Sequence, residues 1–255
     1  MTIITVALAG LFVGLIVGLL GAGGGILAVP ALIYLLGFDE HTATGSSLVI
    51  ILFTALVALP GKIATGKIQW KVALQFATCA CVGAIGGRIL NALLDANALM
   101  WGFSLFLFAV GTWMLHRTLR VETKTRSIPS IWLIPVALVT GLLTGIFGVS
   151  GGFFVVPVLV LLFGLSMAQA AASSIVIMII TAVVALVTTL LQGAIVVPWG
   201  SLMIFAIASA VGSAIGSPFS ARCNERLLQI LFLILIFGVA TYTLVSLVLY
   251  SSSMR

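Results

Sequence analysis

GAGGGILAVP at residues 21–30 and GVSGGFFVVP at 148–157 place glycine clusters inside otherwise apolar stretches. Glycine lacks a Cβ, so a ligand can approach its backbone closely. A helix interrupted at such a cluster presents free N–H groups at the start of its second part, and these groups attract anions with the help of the aligned peptide dipoles. Gly23, Gly24 and Gly25 in the first stretch, and Ser150, Gly151 and Gly152 in the second, are therefore candidate walls of an anion-binding site. A serine pair follows each stretch, in TGSSL at 44–48 and AASSI at 171–175. The hydroxyls of Thr44, Ser46, Ser47, Ser173 and Ser174 can cap a helix or donate to a bound oxyanion without placing a permanent charge in lipid. Arg88 ends the run VGAIGGR and has two readings. It steers anions toward the site, or its head group snorkels to the bilayer surface. The corresponding run VGSAIGSP has no arginine, so any role of Arg88 is asymmetric.

The elements that hold these residues follow from composition. The 255 residues are 62% hydrophobic and 6% charged, and the mean hydropathy is +1.38. A soluble domain of this length needs far more surface charge, so the chain reads as an all-α polytopic membrane protein whose partner is the lipid bilayer. The net charge of +6 does not point to nucleic acid, because the few basic residues lie mostly between hydrophobic runs. Cys79, Cys81 and Cys223 show no metal-ligand spacing and read as small hydrophobes, so neither metal nor cofactor is expected. Residues 1–20 have no basic leading segment, and their apolar run continues past any cleavage point, so the first segment is expected to remain in the protein.

Hydrophobic runs fall at 3–20, 24–37, 43–60, 70–90 and 98–115, then at 132–147, 152–165, 170–191, 199–219 and 227–250. A crossing takes about 20 residues. The stretch 3–37 would be about 50 Å long as one helix, so it must split, and the glycine cluster is where it splits. The same holds for 132–165, with its break at GVSGG, 148–152. The two breaks are related by an offset of 127 positions. The same offset superposes Gly14 on Gly141, Gly18 on Gly145, Pro30 on Pro157, Gly37 on Gly164, Ser46-Ser47 on Ser173-Ser174, Thr54 on Thr181 and Gly66 on Gly193. The chain is thus a duplication: residues 1–116 form a first repeat, 117–131 a basic cytoplasmic linker, and 132–255 a second repeat, with about 8–10 membrane segments in all. Glycines at four-residue spacing, namely Gly10, Gly14 and Gly18, Gly83 with Gly87, and Gly212 with Gly216, read as close helix packing.

Basic residues give an orientation. Arg117, Arg120, Lys124 and Arg126 place the linker inside, Lys62 and Lys67 mark another inside loop, and the loops with Asp39, Glu40 and Asp95 are outside. In the second half the basic residues Arg222 and Arg226 occupy the opposite loop of the unit. That exchange is expected of an inverted repeat with an odd number of crossings per half, its broken helices meeting near the membrane centre. A parallel duplication with an even count is the competing topology. Trp70, Trp101, Trp113, Trp132 and Trp199 sit near segment ends as interface anchors, and His41 and His116 lie at segment edges.

The paired glycine motifs ending in VP, the downstream TGSSL and AASSI, and the basic central linker resemble the sulfite exporter TauE/SafE family of bacterial permeases over nearly the whole chain. The resemblance implies a secondary transporter in the bacterial cytoplasmic membrane. Its substrate would be a small sulfur-containing or organic anion: sulfite, thiosulfate, sulfoacetate or another sulfonate. The expected mechanism is alternating access, the chain is no enzyme, and a homo-oligomer stays open. An anion channel is the first alternative. The second is an intramembrane protease, since GVSG at 148–151 matches the G-x-S-G of rhomboid-type serine proteases. That reading lacks a histidine base within a helix, and the repeat places Gly23 where the nucleophile would be.

Overall fold

The computed structural model describes residues 3–20, 25–119, 132–148, 152–192, 199–220 and 225–253. These form ten helices and, among the described residues, no strand: α1 Ile3–Leu20, α2 Gly25–Tyr34, α3 Glu40–Ala64, α4 Trp70–Leu93, α5 Ala96–Leu119, α6 Leu133–Phe147, α7 Gly152–Leu161, α8 Met167–Leu191, α9 Trp199–Ser220 and α10 Glu225–Ser253. Each half contributes five, and the short second helix of each half carries a proline as its sixth residue, Pro30 in α2 and Pro157 in α7. Among the described residues, five helices are long and apolar enough to cross a membrane: α3, α4, α8, α5 through His116 and α9 through Ser217. At ten residues each, α2 and α7 reach about 15 Å, half the hydrocarbon thickness. The predicted run 24–37 is therefore α2 plus a turn, closed by Gly37 at φ 72°, and its counterpart ends in the same way at Gly164, φ 68°.

The bundle exposes many large hydrophobic side chains, as Ile4 at 69% and Val82 at 64% exposure illustrate, and buries its hydroxyl residues alongside an apolar core. In water such a surface would drive aggregation, whereas in lipid it is the solvated face. Thr54 and Thr181, one offset apart, are both buried and return their hydroxyls to their own helices, to the carbonyls of Ile50 and Ile177, each at 2.8 Å. That removes a polar group from the interior without a partner helix.

The halves are interlocked. Helix α1 of the first half packs on α9 of the second, and α6 of the second packs on α4 of the first. A Cβ built on Gly14 would lie 1.9 Å from the carbonyl oxygen of Ser209, and one on Gly141 would lie 1.9 Å from that of Ala80. One turn on, Gly18 opposes Ser213 and Gly145 opposes Ala84. From the other side Gly83 and Gly87 oppose Leu138 and Leu142, as Gly212 and Gly216 oppose Leu11 and Leu15. The contacts advance together along both helices, so each pair runs parallel. Every one of these glycines is a place where backbone meets backbone, as their four-residue spacing predicts.

Between the two interlocked pairs, α3 packs directly on α8. Their interface holds Leu48, Ile51 and Ala55 against Ile175, Met178 and Ala182, with Ala84 of α4 alongside. The N–H of Gln69, the residue before α4, donates to Ser173 near the start of α8 at 2.9 Å. The end of α3 therefore lies beside the start of α8, and the two helices run in opposite directions.

Candidate functional site

Of the sequence-predicted site residues, Gly23, Gly24, Ser150 and Gly151 lie outside the described residues. Gly25 and Gly152 are the first residues of α2 and α7, and α2 contacts α7. The break of the second half begins at Gly148, which ends α6 in the left-handed conformation, φ 60° and ψ 11°. Only glycine adopts this without strain. There is no room for a side chain either, since a Cβ would meet the Thr44 carbonyl oxygen at 2.0 Å.

The serine pairs do not cap their helices. Asp39 caps α3, accepting from the N–H of Thr42 at 2.9 Å. Ser166 caps α8 in a reciprocal box with Gln169. Burial pushes the Asp39 carboxyl up, but the hydrogen bonds from Thr42 and from its own backbone, with His41 nearby, together outweigh it and hold the group below its ordinary range. The pairs lie in the second turns, where all four serines and Thr44 are buried. Ser47 shares its hydroxyl between the carbonyls of Thr44, at 2.7 Å, and Gly148. Ser174 donates to Ala171 at 3.0 Å, Thr44 donates to His41 at 2.9 Å, and Ser173 accepts from Gln69. Of these five hydroxyls, that of the fully buried Ser46 has no partner. The pairs thus tie the start of each long helix to neighbouring backbone, and Ser47 holds the second half's break against the first half.

Asn91 completes that junction, and the sequence reading passed over it. Its amide donates to the Ile146 carbonyl, the last turn of α6, at 2.5 Å, and lies 3.5 Å from the Thr44 hydroxyl. His41 Nδ1 is 3.4 Å from its side-chain oxygen. An amide in an apolar helix, three residues after an arginine, was the available signal. Arg88 itself is 2% exposed. The snorkelling alternative therefore fails: the head group is enclosed by protein, and its Nε and Nη1 make no hydrogen bond. Lys62, read from sequence as a loop marker, is inside α3 and 7% exposed.

An outward groove of about 500 Å³ between α5, α6 and α7 is lined by Phe106, Trp113, Trp132 and Phe154 among other apolar residues. Its hydrocarbon walls suit acyl chains rather than an anion. Among the described residues, no cluster of three or more His, Cys, Asp or Glu stands ready for a metal.

Comparison with known proteins agrees with this architecture. Residues 6–243 match the family described as Sulfite exporter TauE/SafE. A "Probable membrane transporter protein" of Xylella fastidiosa strain Temecula1 is 32% identical over 95% of this chain and 94% of its own length. The "Probable membrane transporter protein YunE" of Bacillus subtilis is 26% identical over 89% of this chain and 90% of its own. No solved structure matches.

Proposed function

This chain belongs to the sulfite exporter TauE/SafE family of membrane transporters, and from that premise we propose that it carries a small sulfur-containing or organic anion across the bacterial cytoplasmic membrane by alternating access. Sulfite, thiosulfate, sulfoacetate and related sulfonates are the candidate substrates. The observation that carries the reading is the contact between α2 and α7, two ten-residue helices that open on Gly25 and Gly152 at equivalent points of the repeat. In this reading the two starts face one another inside the bundle, and their free N–H groups form a neutral donor cage suited to an anion that must leave again. The opposed directions of α3 and α8 support an inverted repeat, and with it a site near the pseudo-two-fold axis.

The interlocked packing supplies the moving parts. The α1–α9 and α4–α6 pairs are each locked by backbone contact, and α3 against α8 lies between them. Rocking one pair against the other about the α3–α8 contact opens the site to one side and then to the other. Few acidic residues lie within spans, so proton coupling either rides on the substrate's own protonation or is absent.

The test is counterflow in proteoliposomes, preceded by a thermal-shift screen of purified protein against sulfite, sulfate, thiosulfate, sulfoacetate and carboxylates. Saturable exchange of a stabilising anion is expected. Flux that never saturates makes the protein a channel, and no anion flux at all removes the reading. Gly24→Val and Gly151→Val are expected to abolish exchange while the protein still inserts.

A further inference from the structure

Two basic side chains are buried within this bundle, at opposite ends of the α3–α8 pair. Arg88 is 2% exposed, with Nε and Nη1 unpartnered. It follows Ala84 by one turn on α4, and Ala84 packs among Leu48 and Ile51 of α3 and Ala182 and Ala185 of α8. Arg88 therefore stands on the face of α4 turned to that pair. Three residues further, Asn91 reaches the start of α3 and the end of α6. Lys62 lies at the other end of α3 and is 7% exposed. A Cβ on its neighbour Gly61 would be 3.7 Å from the Ser217 hydroxyl of α9.

The duplication relates these places. The offset of 127 carries Lys62 onto Thr189, and the offset of 129 that superposes Gly83 on Gly212 and Gly87 on Gly216 carries Arg88 onto Ser217. Each end of the fold therefore has the same two positions, one on the third or eighth helix and one on the fourth or ninth. At one end they hold arginine and threonine, and at the other lysine and serine. The cation comes from a different helix at each end, yet each end has one. A charge enclosed in a membrane protein without a counter-charge is costly, and such residues mark ion paths. The chain has only five acidic residues, and none bonds Nε or Nη1 of Arg88.

We propose that Arg88 and Lys62 are two anion stations, one at each mouth of the transport path, each holding a single oxyanion group as the substrate enters or leaves. The inference rests on the anion-transporter reading. Arg88 presents a planar fork that can grip two oxygens, whereas Lys62 acts as a point charge, so the Arg88 end selects and the Lys62 end releases. The loop charges put Arg88 at the outer mouth and Lys62 at the inner one.

Uptake of sulfite, thiosulfate and sulfoacetate into right-side-out and inside-out vesicles tests this. Arg88→Gln is expected to raise the half-saturation from the outer face by about tenfold or more, and to leave the inner face within about twofold. Lys62→Gln should do the reverse. If Arg88→Gln does not fold, Arg88→Lys keeps the charge without the fork, and a several-fold rise at the outer face supports the station. Arg88→Lys with wild-type half-saturation, or both Gln variants unchanged at both faces while the wild type transports, overturns the stations and leaves the transporter standing. Equal loss at both faces in either Gln variant also overturns them. Failure of the wild type to carry any of the three anions removes both ideas together.

Discussion

The α1–α9 and α4–α6 interfaces set equivalent glycines against equivalent backbone positions of the facing helix. Gly14 on Ser209 answers Gly141 on Ala80, and Gly212 on Leu11 answers Gly83 on Leu138. One residue beyond the last glycine, α4 has Arg88 where α9 has Ser217. The glycines are held equal by sterics, because any side chain there collides with backbone that cannot move aside. The residue just past them is under no such constraint, and there the copies have diverged. Where the repeat is symmetric it serves packing, and where it is asymmetric the chemistry differs.

The packing half of this comparison breaks most visibly. Gly14→Leu and Gly141→Leu should each prevent accumulation of folded, monodisperse protein in detergent, and to the same degree. The alanine versions should each cost about 1–3 kcal/mol or more, because the opposing atoms are backbone. Gly86→Ala is the control: nothing lies within 4 Å of its Cβ position, so thermal stability should hold or rise slightly. Loss of stability in Gly86→Ala equal to that in Gly141→Ala would remove close approach as the explanation.

Asn91→Ala should follow, lowering stability by about 1–3 kcal/mol by stranding the buried Ile146 carbonyl. The serine pair gives a finer contrast. Ser47→Ala should cost about 1 kcal/mol, since its hydroxyl holds Thr44 and Gly148. Ser46→Ala should cost nothing measurable in melting temperature, because its hydroxyl has no partner to lose. If Ser46 meets the substrate, the half-saturation alone will rise in that variant.

The smallest effect separates the two caps. Asp39 titrates and Ser166 does not. The folded Asp39 pKa lies below its unfolded value of about 3.9, so its contribution is present above that value. It is lost as pH falls through the folded pKa. Asp39→Asn should therefore flatten the acid limb of the stability profile slightly, while Ser166→Asn leaves its shape unchanged. Identical acid limbs in wild type and Asp39→Asn would dismiss the cap as a titrating element.

Much of this was legible in the chain because it rests on local, one-dimensional rules. Helix lengths follow from hydropathy, and the split of 3–37 follows from the length of a crossing. The duplication follows from glycine, proline and serine recurring at one offset. The spacing of Gly10, Gly14 and Gly18 announced close packing without naming a partner. The candidate site was less legible. Sequence alone makes the serine pairs caps or substrate donors, yet Asp39 and Ser166 hold the caps and Ser47 is spent on Gly148. Asn91 passed unnoticed because nothing in its neighbours shows that α6 ends against it.

The sequence by itself determined a membrane-embedded helical duplication with two glycine breaks, since hydrophobic run lengths and residue recurrence are properties of the chain alone. Only the tertiary structure decided that α1 belongs with α9 and α4 with α6, that α3 and α8 run in opposite directions, and that Arg88 and Lys62 are enclosed by protein. Burial of a basic side chain depends on which helices surround it, and partners far apart in the chain leave no trace in its local pattern.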